Sequence, residues 1–183
     1  MKKILLFLFL GSVGFTAYSC DNNDDAVVQN PVDYDTYSTA YDIIPTFTKT
    51  NNNLYHFDDA FNKPLVESDV VLIYLQTGLT NNNSPIWSLL PYSVALNNGN
   101  NDRVDYVFDF SAYDIGINVK STPTLNLDNN SSYYTNKKFR VVVVPAKTGT
   151  SKSAEAAAVN YEDYNSVIKY YNIDESKIQT KVK

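Results

Sequence analysis

A mainly β fold, an antiparallel sandwich or barrel-like domain with a short C-terminal helix, is what this chain predicts, and three observations carry it. First, Val70-Val71-Leu72-Ile73-Tyr74-Leu75 and Phe139-Arg140-Val141-Val142-Val143-Val144 are nearly unbroken apolar runs rich in β-branched residues. Such runs are strands covered on both faces. Second, Val104 to Phe110 alternates, with Val104, Tyr106, Phe108 and Phe110 on one side and Asp105 and Asp109 on the other, the period of a half-buried strand. Third, the connections are rich in Asn, at Asn51–Asn53, Asn81–Asn83, Asn97–Asp102 and Asp128–Asn130. Asn tolerates left-handed backbone and bonds its own main chain, so these are turns with a mechanism.

The elements follow in order. Lys2 and Lys3 precede an apolar stretch from Ile4 to Leu10 that continues to Ala17, and Ala17, Tyr18 and Ser19 lead into Cys20. A basic n-region, an apolar h-region and a small residue at the cut make an export signal. With Cys at the cleavage point it reads as a lipobox. Residues 1–19 are therefore expected to be a lipoprotein signal peptide, and Cys20 the lipidated residue. Spanning a bilayer takes about 20 apolar residues, and Gly11 and Gly14 interrupt this shorter stretch. Several acyl chains on one cysteine hold a protein far more firmly than one. Residues 20–33 then form the lipidated end and an acidic tether, with Asp21, Asp24 and Asp25 beside the membrane.

A β domain is expected over 34–147. Its strands are Ile43–Thr48, Leu54–Phe57, Val70–Leu75, Ile86–Leu96 bent at Pro91, Val104–Phe110, a strand from Ile115, Thr124–Leu127, and Phe139–Val144 stopped by Pro145. From Ile115 the apolar phase moves to odd positions, Ile117 and Val119. An unbroken strand cannot change phase without turning its core face to water, which places a turn or bulge at Ser111–Asp114. Residues 148–159, rich in Ser, Thr, Lys and Ala, read as a linker. Residues 160–183 read as a helical segment: Asn160 as cap, Asp163 in the first turn, and Tyr161, Tyr164, Val167, Ile168 and Tyr171 on one face. A second short turn begins near Asp174 and runs into a charged tail.

Fifteen basic and 20 acidic residues give a formal charge of −5. Loss of residues 1–19 removes Lys2 and Lys3, leaving 13 basic against 20 acidic, or −7. That balance argues against nucleic acid as a partner. The one cysteine is committed to lipid, so the domain is held by packing without a disulfide. No Gly-rich dinucleotide turn and no redox cysteine pair is present.

No residue set forms a catalytic signature, so no enzyme is expected. His56, the single histidine, lies in Tyr55-His56-Phe57-Asp58-Asp59, where a base or metal ligand competes with a plain surface role. The loops Asn97–Asp102 and Asp33–Asp35 offer oxygen ligands for Ca2+. Neither has calcium-loop spacing, so no metal ligands are assigned and no cofactor beyond the lipid is expected. Trp87, the sole tryptophan, with Tyr34, Tyr37 and Tyr41, supplies aromatic faces on which a glycan could stack. Trp87 and Leu89 share one strand face and Ile86 and Leu90 the other, so both faces are apolar and core packing is the favoured role for Trp87.

Several segments together resemble a known group. Glu67-Ser68-Asp69-Val70-Val71-Leu72-Ile73-Tyr74, Ile86-Trp87-Ser88-Leu89-Leu90-Pro91, Leu96-Asn97-Asn98-Gly99, Phe139–Ala146 and the stretch Tyr170–Ile178 are similar to an uncharacterised family of small flavobacterial (Bacteroidetes) surface lipoproteins. Some of these carry a collagen-like stalk after the lipidated cysteine, where this chain has Asp and Asn. The tether also resembles the acidic tag of surface-exposed Bacteroidetes lipoproteins. The resemblance implies an outer-membrane lipoprotein facing the cell exterior. The expected role is display, adhesion or assembly with a surface protein partner; the alternative is a small ligand-binding module, with glycan as the leading ligand.

Overall fold

The computed structural model describes residues 38–66, 69–145 and 159–183. Among the described residues, ten strands and one α-helix follow one another: β1 (Thr39–Ile44), β2 (Thr48–Asn51), β3 (Leu54–Ala60), β4 (Asp69–Leu79), β5 (Pro85–Leu89), β6 (Tyr92–Ala95), β7 (Arg103–Phe110), β8 (Asp114–Ser121), β9 (Phe139–Pro145), α1 (Tyr164–Tyr170) and β10 (Thr180–Val182). They form two separate five-stranded sheets. Sheet A has the order β10-β1-β9-β4-β5 and sheet B the order β2-β3-β8-β7-β6. Neither closes on itself, so the predicted antiparallel sandwich, not a barrel, is the form adopted. Every pairing is antiparallel except β10 on β1, which is parallel.

The inner faces meet in one core. Sheet A contributes Ile43, Val71, Ile73, Leu75, Phe139, Val141 and Val143; sheet B contributes Tyr55, Phe57, Val104, Tyr106, Ile115, Ile117 and Val119. Sheet B turns a polar face to water, including His56, Asp58, Asn118 and Lys120, as an antiparallel sheet with one covered face does. Sheet A is covered twice. On its outer face Leu72, Tyr74, Val142 and Val144 pack against Tyr164 and Val167 of α1, with Val159, Ile168, Tyr171 and Ile173 around them. This third layer is why β4 and β9 read as continuous apolar runs.

The phase change at Ser111–Asp114 is a hairpin: Phe110 pairs with Ile115, and the Ser111 N–H donates to the Asp114 carbonyl at 2.9 Å. Three expectations are corrected. Ile43–Thr48 is not one strand, because the chain leaves sheet A after Ile44, turns through Pro45-Thr46-Phe47 and enters sheet B as β2. Ile86–Leu96 is likewise two strands: β5 belongs to sheet A and β6 to sheet B, with a cis Leu90–Pro91 peptide at the corner. Thr124–Leu127 forms no strand. Asn126 accepts from the Asp128 N–H at 2.8 Å and caps a 3₁₀ turn at Leu127–Asn129, while Leu125 and Leu127 plug the core. Such local bonds compete with a ladder.

In the C-terminal segment the helix cap is Asp163, which accepts from the Asn165 N–H at 3.0 Å. The charged tail is a strand, β10, lying along β1. Linker residues 148–158 lie outside the described residues.

Candidate functional site

Antiparallel register sets Asp42 of β1, Arg140 of β9, Tyr74 of β4 and Leu89 of β5 in one row on the outer face of sheet A. Arg140 interrupts an otherwise apolar strand and is 7% exposed. A charge so buried is tolerated only when paired and hydrogen-bonded. Its fork donates to Asp42, Nε to Oδ1 at 2.6 Å and Nη2 to Oδ2 at 3.1 Å, the bidentate geometry that a planar guanidinium provides. Asp42, 2% exposed, also pairs with Lys138 Nζ at 2.9 Å.

The remaining guanidinium edge reaches the C-terminal segment. Nη1 donates to Glu175 Oε1 at 2.8 Å and to the Tyr164 hydroxyl. That hydroxyl donates in turn to Glu175 Oε1 at 2.6 Å. The guanidinium carbon lies over the Trp87 ring, 4.4 Å from its centroid, and 5.2 Å from that of Tyr164, within cation–π range. Burial alone would lower the Arg140 pKa, but the bonds to Asp42 and Tyr164 and the Asp42 charge raise it, so the group stays cationic. Burial, then the bond to Glu175, pushes the Tyr164 hydroxyl up. The arrangement is an ionic and aromatic clasp that ties α1 and the following turn to the sheet. Sequence reasoning missed it. The one legible sign was an arginine inside a valine run; its partners Asp42 and Glu175 lie 98 and 35 residues away.

Trp87 packs on this same outer face beside Leu89. One side of its indole is taken by Arg140, and its buried N–H finds no acceptor among the described residues. Of the two residues expected on the opposite face, Leu90 is buried in the inner core, whereas Ile86 is 43% exposed at the sheet edge. Tyr41 points the other way. It packs against the inner core, and Lys181 Nζ lies 4.1 Å from its ring centroid. The described residues therefore do not bring Trp87 and Tyr41 together: they occupy opposite faces of sheet A. Tyr34, Tyr37, Cys20, Asp21, Asp24 and Asp25 lie outside the described residues, as does the Asp33–Asp35 loop.

His56 sits within β3 on the outer face of sheet B. Its Nδ1 lies 2.9 Å from Asn118 Oδ1, and its Nε2 2.7 Å from Asp58 Oδ2. Burial would lower its pKa, but the bonds to Asn118 and Asp58 and the charges of Asp58 and Asp109 raise it overall. The pairing rows explain the cluster: Asp58 and Asp109 are both cross-strand partners of Gly116. The missing side chain leaves room for both carboxylates, and a Cβ there would meet Asp109 Oδ1 at 2.7 Å and Asp58 Oδ1 at 3.4 Å.

In the 97–102 loop, Asp102 is 2% exposed. It accepts from Thr122 Oγ1 at 2.6 Å, from Thr124 Oγ1, and from Asn98 Nδ2 at 2.8 Å. The two threonine hydroxyls, chiefly, hold its carboxyl below the ordinary value. Its oxygens are thus engaged in fixing the loop to the chain after β8. Among the described residues, no group of three or more His, Cys, Asp or Glu side chains is arranged to hold a metal ion, and no helix is long and apolar enough to cross a membrane.

No protein-family model, curated protein or solved structure was found to match the chain.

Proposed function

We propose that this chain is a lipid-anchored lipoprotein of the outer membrane, facing the cell exterior, whose sandwich serves display, adhesion or assembly and performs no catalysis. The anchor rests on the lipobox ending at Cys20 and the acidic tether that follows. The observation that supports a non-catalytic domain is the clasp. Arg140, Asp42 and Tyr164 are the most chemically equipped cluster on sheet A, and their hydrogen-bonding capacity is directed at one another and at Glu175, fastening one layer to the next. The same clasp occupies a face of Trp87, the best candidate for a sugar platform.

The test is in cells. A fatty-acid analogue should label the wild type and not Cys20→Ala, because the thioether needs the thiol. Protease added outside intact cells should remove the domain. Equal labelling of both chains would overturn the anchor, and protection from protease would overturn the outward orientation. Saturable retention of purified residues 21–183 on a glycan array would replace display or assembly with a ligand-binding module.

A further inference from the structure

We propose that the β1 edge of sheet A is an acceptor for an extended Lys-x-Lys peptide, and that between neighbouring molecules its occupant is the Gln179–Lys183 segment of a second copy. This deepens the assembly reading and rests on it for the proximity of copies.

In the structure the edge is filled by the molecule's own segment. The Asp42 N–H donates to the Gln179 carbonyl at 2.8 Å, Lys183 N–H to the Ile44 carbonyl at 3.1 Å, and Thr46 N–H to the Lys183 carbonyl at 2.7 Å. This is strand addition to a sheet edge, in which main-chain bonds give affinity and alternate side chains give specificity. Both alternate side chains are recognised. Lys181 Nζ sits over the Tyr41 ring, and Lys183 Nζ lies 2.8 Å from Asp59 Oδ1. Asp59 is 5% exposed and belongs to β3 of sheet B, so the second lysine bridges the seam between the sheets.

Three features make the occupant exchangeable. The pairing covers three residues and is the one parallel ladder among the described residues, the slightly weaker kind. Cavities flank it at both ends: about 300 Å³ between Ser38–Ala40 and Asn172–Asp174, and about 240 Å³ beside Pro45, Phe47, Tyr134 and Val182. Val182 itself is 78% exposed, so its side chain adds little to retention. A second copy needs no new complementarity, because the same five residues meet the same edge; this is the economy of a swapped element. Lipid anchoring confines copies to one surface and raises their effective concentration. A head-to-tail exchange that does not close would build a chain of molecules, and one that closes a dimer.

Ile44 and Val182 are register partners. Two differently tagged full-length copies, one Ile44→Cys and the other Val182→Cys, are co-expressed and oxidised mildly on intact cells. A disulfide-linked pair carrying both tags is expected, and neither variant alone should form it. If a copy with both cysteines links only to itself and mixed cells give no tagged pair, the exchange is overturned. In a separate arm, the lipid-anchored chain ending at Ile178, in detergent, should bind a synthetic Ile178–Lys183 peptide saturably. Adding Asp59→Asn should weaken that binding at least about tenfold, the loss of a charge pair of this burial. No saturable binding, or no effect of Asp59→Asn, overturns the acceptor. Fatty-acid labelling of the same cells separates the outcomes: labelled cells without cross-links sink the exchange alone, whereas unlabelled cells sink the anchored reading.

Discussion

Asp42→Ala should destabilise the domain by about 3–5 kcal/mol, the range for removing one partner of a buried ion pair. Asp42 is 2% exposed, receives two bonds from the Arg140 fork and forms an ion pair with Lys138. Without it the guanidinium keeps Glu175, whose side chain is 51% exposed, and the Tyr164 hydroxyl, neither of which reaches its Nε edge. Exposed ion pairs contribute only about 0–1 kcal/mol, so burial is what sets the magnitude. Urea unfolding of residues 21–183, followed by far-UV circular dichroism, is the assay. With a slope of roughly 2 kcal/mol per M, the midpoint should fall by about 2 M. The control is Asp42→Leu with Arg140→Met, which replaces the pair by apolar groups and should lose clearly less than Asp42→Ala alone. Hydrogen exchange should quicken first in 164–182, the layer the clasp fastens. A loss below about 1 kcal/mol, or a double variant as damaged as the two single changes combined, would refute the claim that burial makes this pair structural.

Trp87 should emit blue-shifted fluorescence, and Trp87→Ala should cost about 3 kcal/mol, the low end for buried aromatics because the indole is partly open; water-like emission would contradict its packing under Arg140. For His56 the folded pKa is raised, so the stabilisation it gives is complete below its unfolded value near 6.5 and is lost as pH rises through the folded value. The gap in urea midpoint between wild type and His56→Gln should therefore shrink on going from pH 5 to pH 9, and a gap that widens would reverse the sign. Gly116→Ala should cost less than about 1 kcal/mol, because the atom in the way is the end of an exposed, rotatable Asp109 side chain. By moving that carboxylate it should also lower the His56 pKa in an NMR titration; an unchanged pKa would show that Asp109 contributes nothing there.

Local periodicity made much of the fold legible. Val70–Leu75 and Phe139–Val144 are central strands, Val104–Phe110 pairs with the strand after the turn or bulge expected at Ser111–Asp114, and α1 lies where its apolar face appeared. What failed was non-local. A chain crossing from one sheet to the other at Pro45 or Pro91 keeps strand-like residues on both sides of the corner, so the pattern runs through while the partners change. Thr124–Leu127 has the apolar alternation of a strand, but Asn126 and Asp128 supply competing side-chain bonds. β10 was hidden for a different reason. Lys181 and Lys183 flank Val182, a polar pattern suited to an edge strand that must not recruit stray partners, and such a pattern resembles a solvated tail.

The difference between the two sheets was already written in the strand patterns. In a two-layer sandwich every strand has one wet face and should alternate, as β3, β7 and β8 do in sheet B. Val141–Val144 and Val71–Leu75 do not alternate, which requires a third layer over sheet A. Among the described residues Tyr164, Val167 and Ile168 supply it, so the C-terminal helical segment is part of the core. The arginine within the β9 run then takes on a meaning that no local window could give it. Arg140 faces the covering layer, and a guanidinium in that position needs an anion from a neighbouring strand and another from the layer itself, which Asp42 and Glu175 provide. The clasp is thus the polar counterpart of the unbroken apolar run: the run requires a cover, and the arginine fixes where the cover sits.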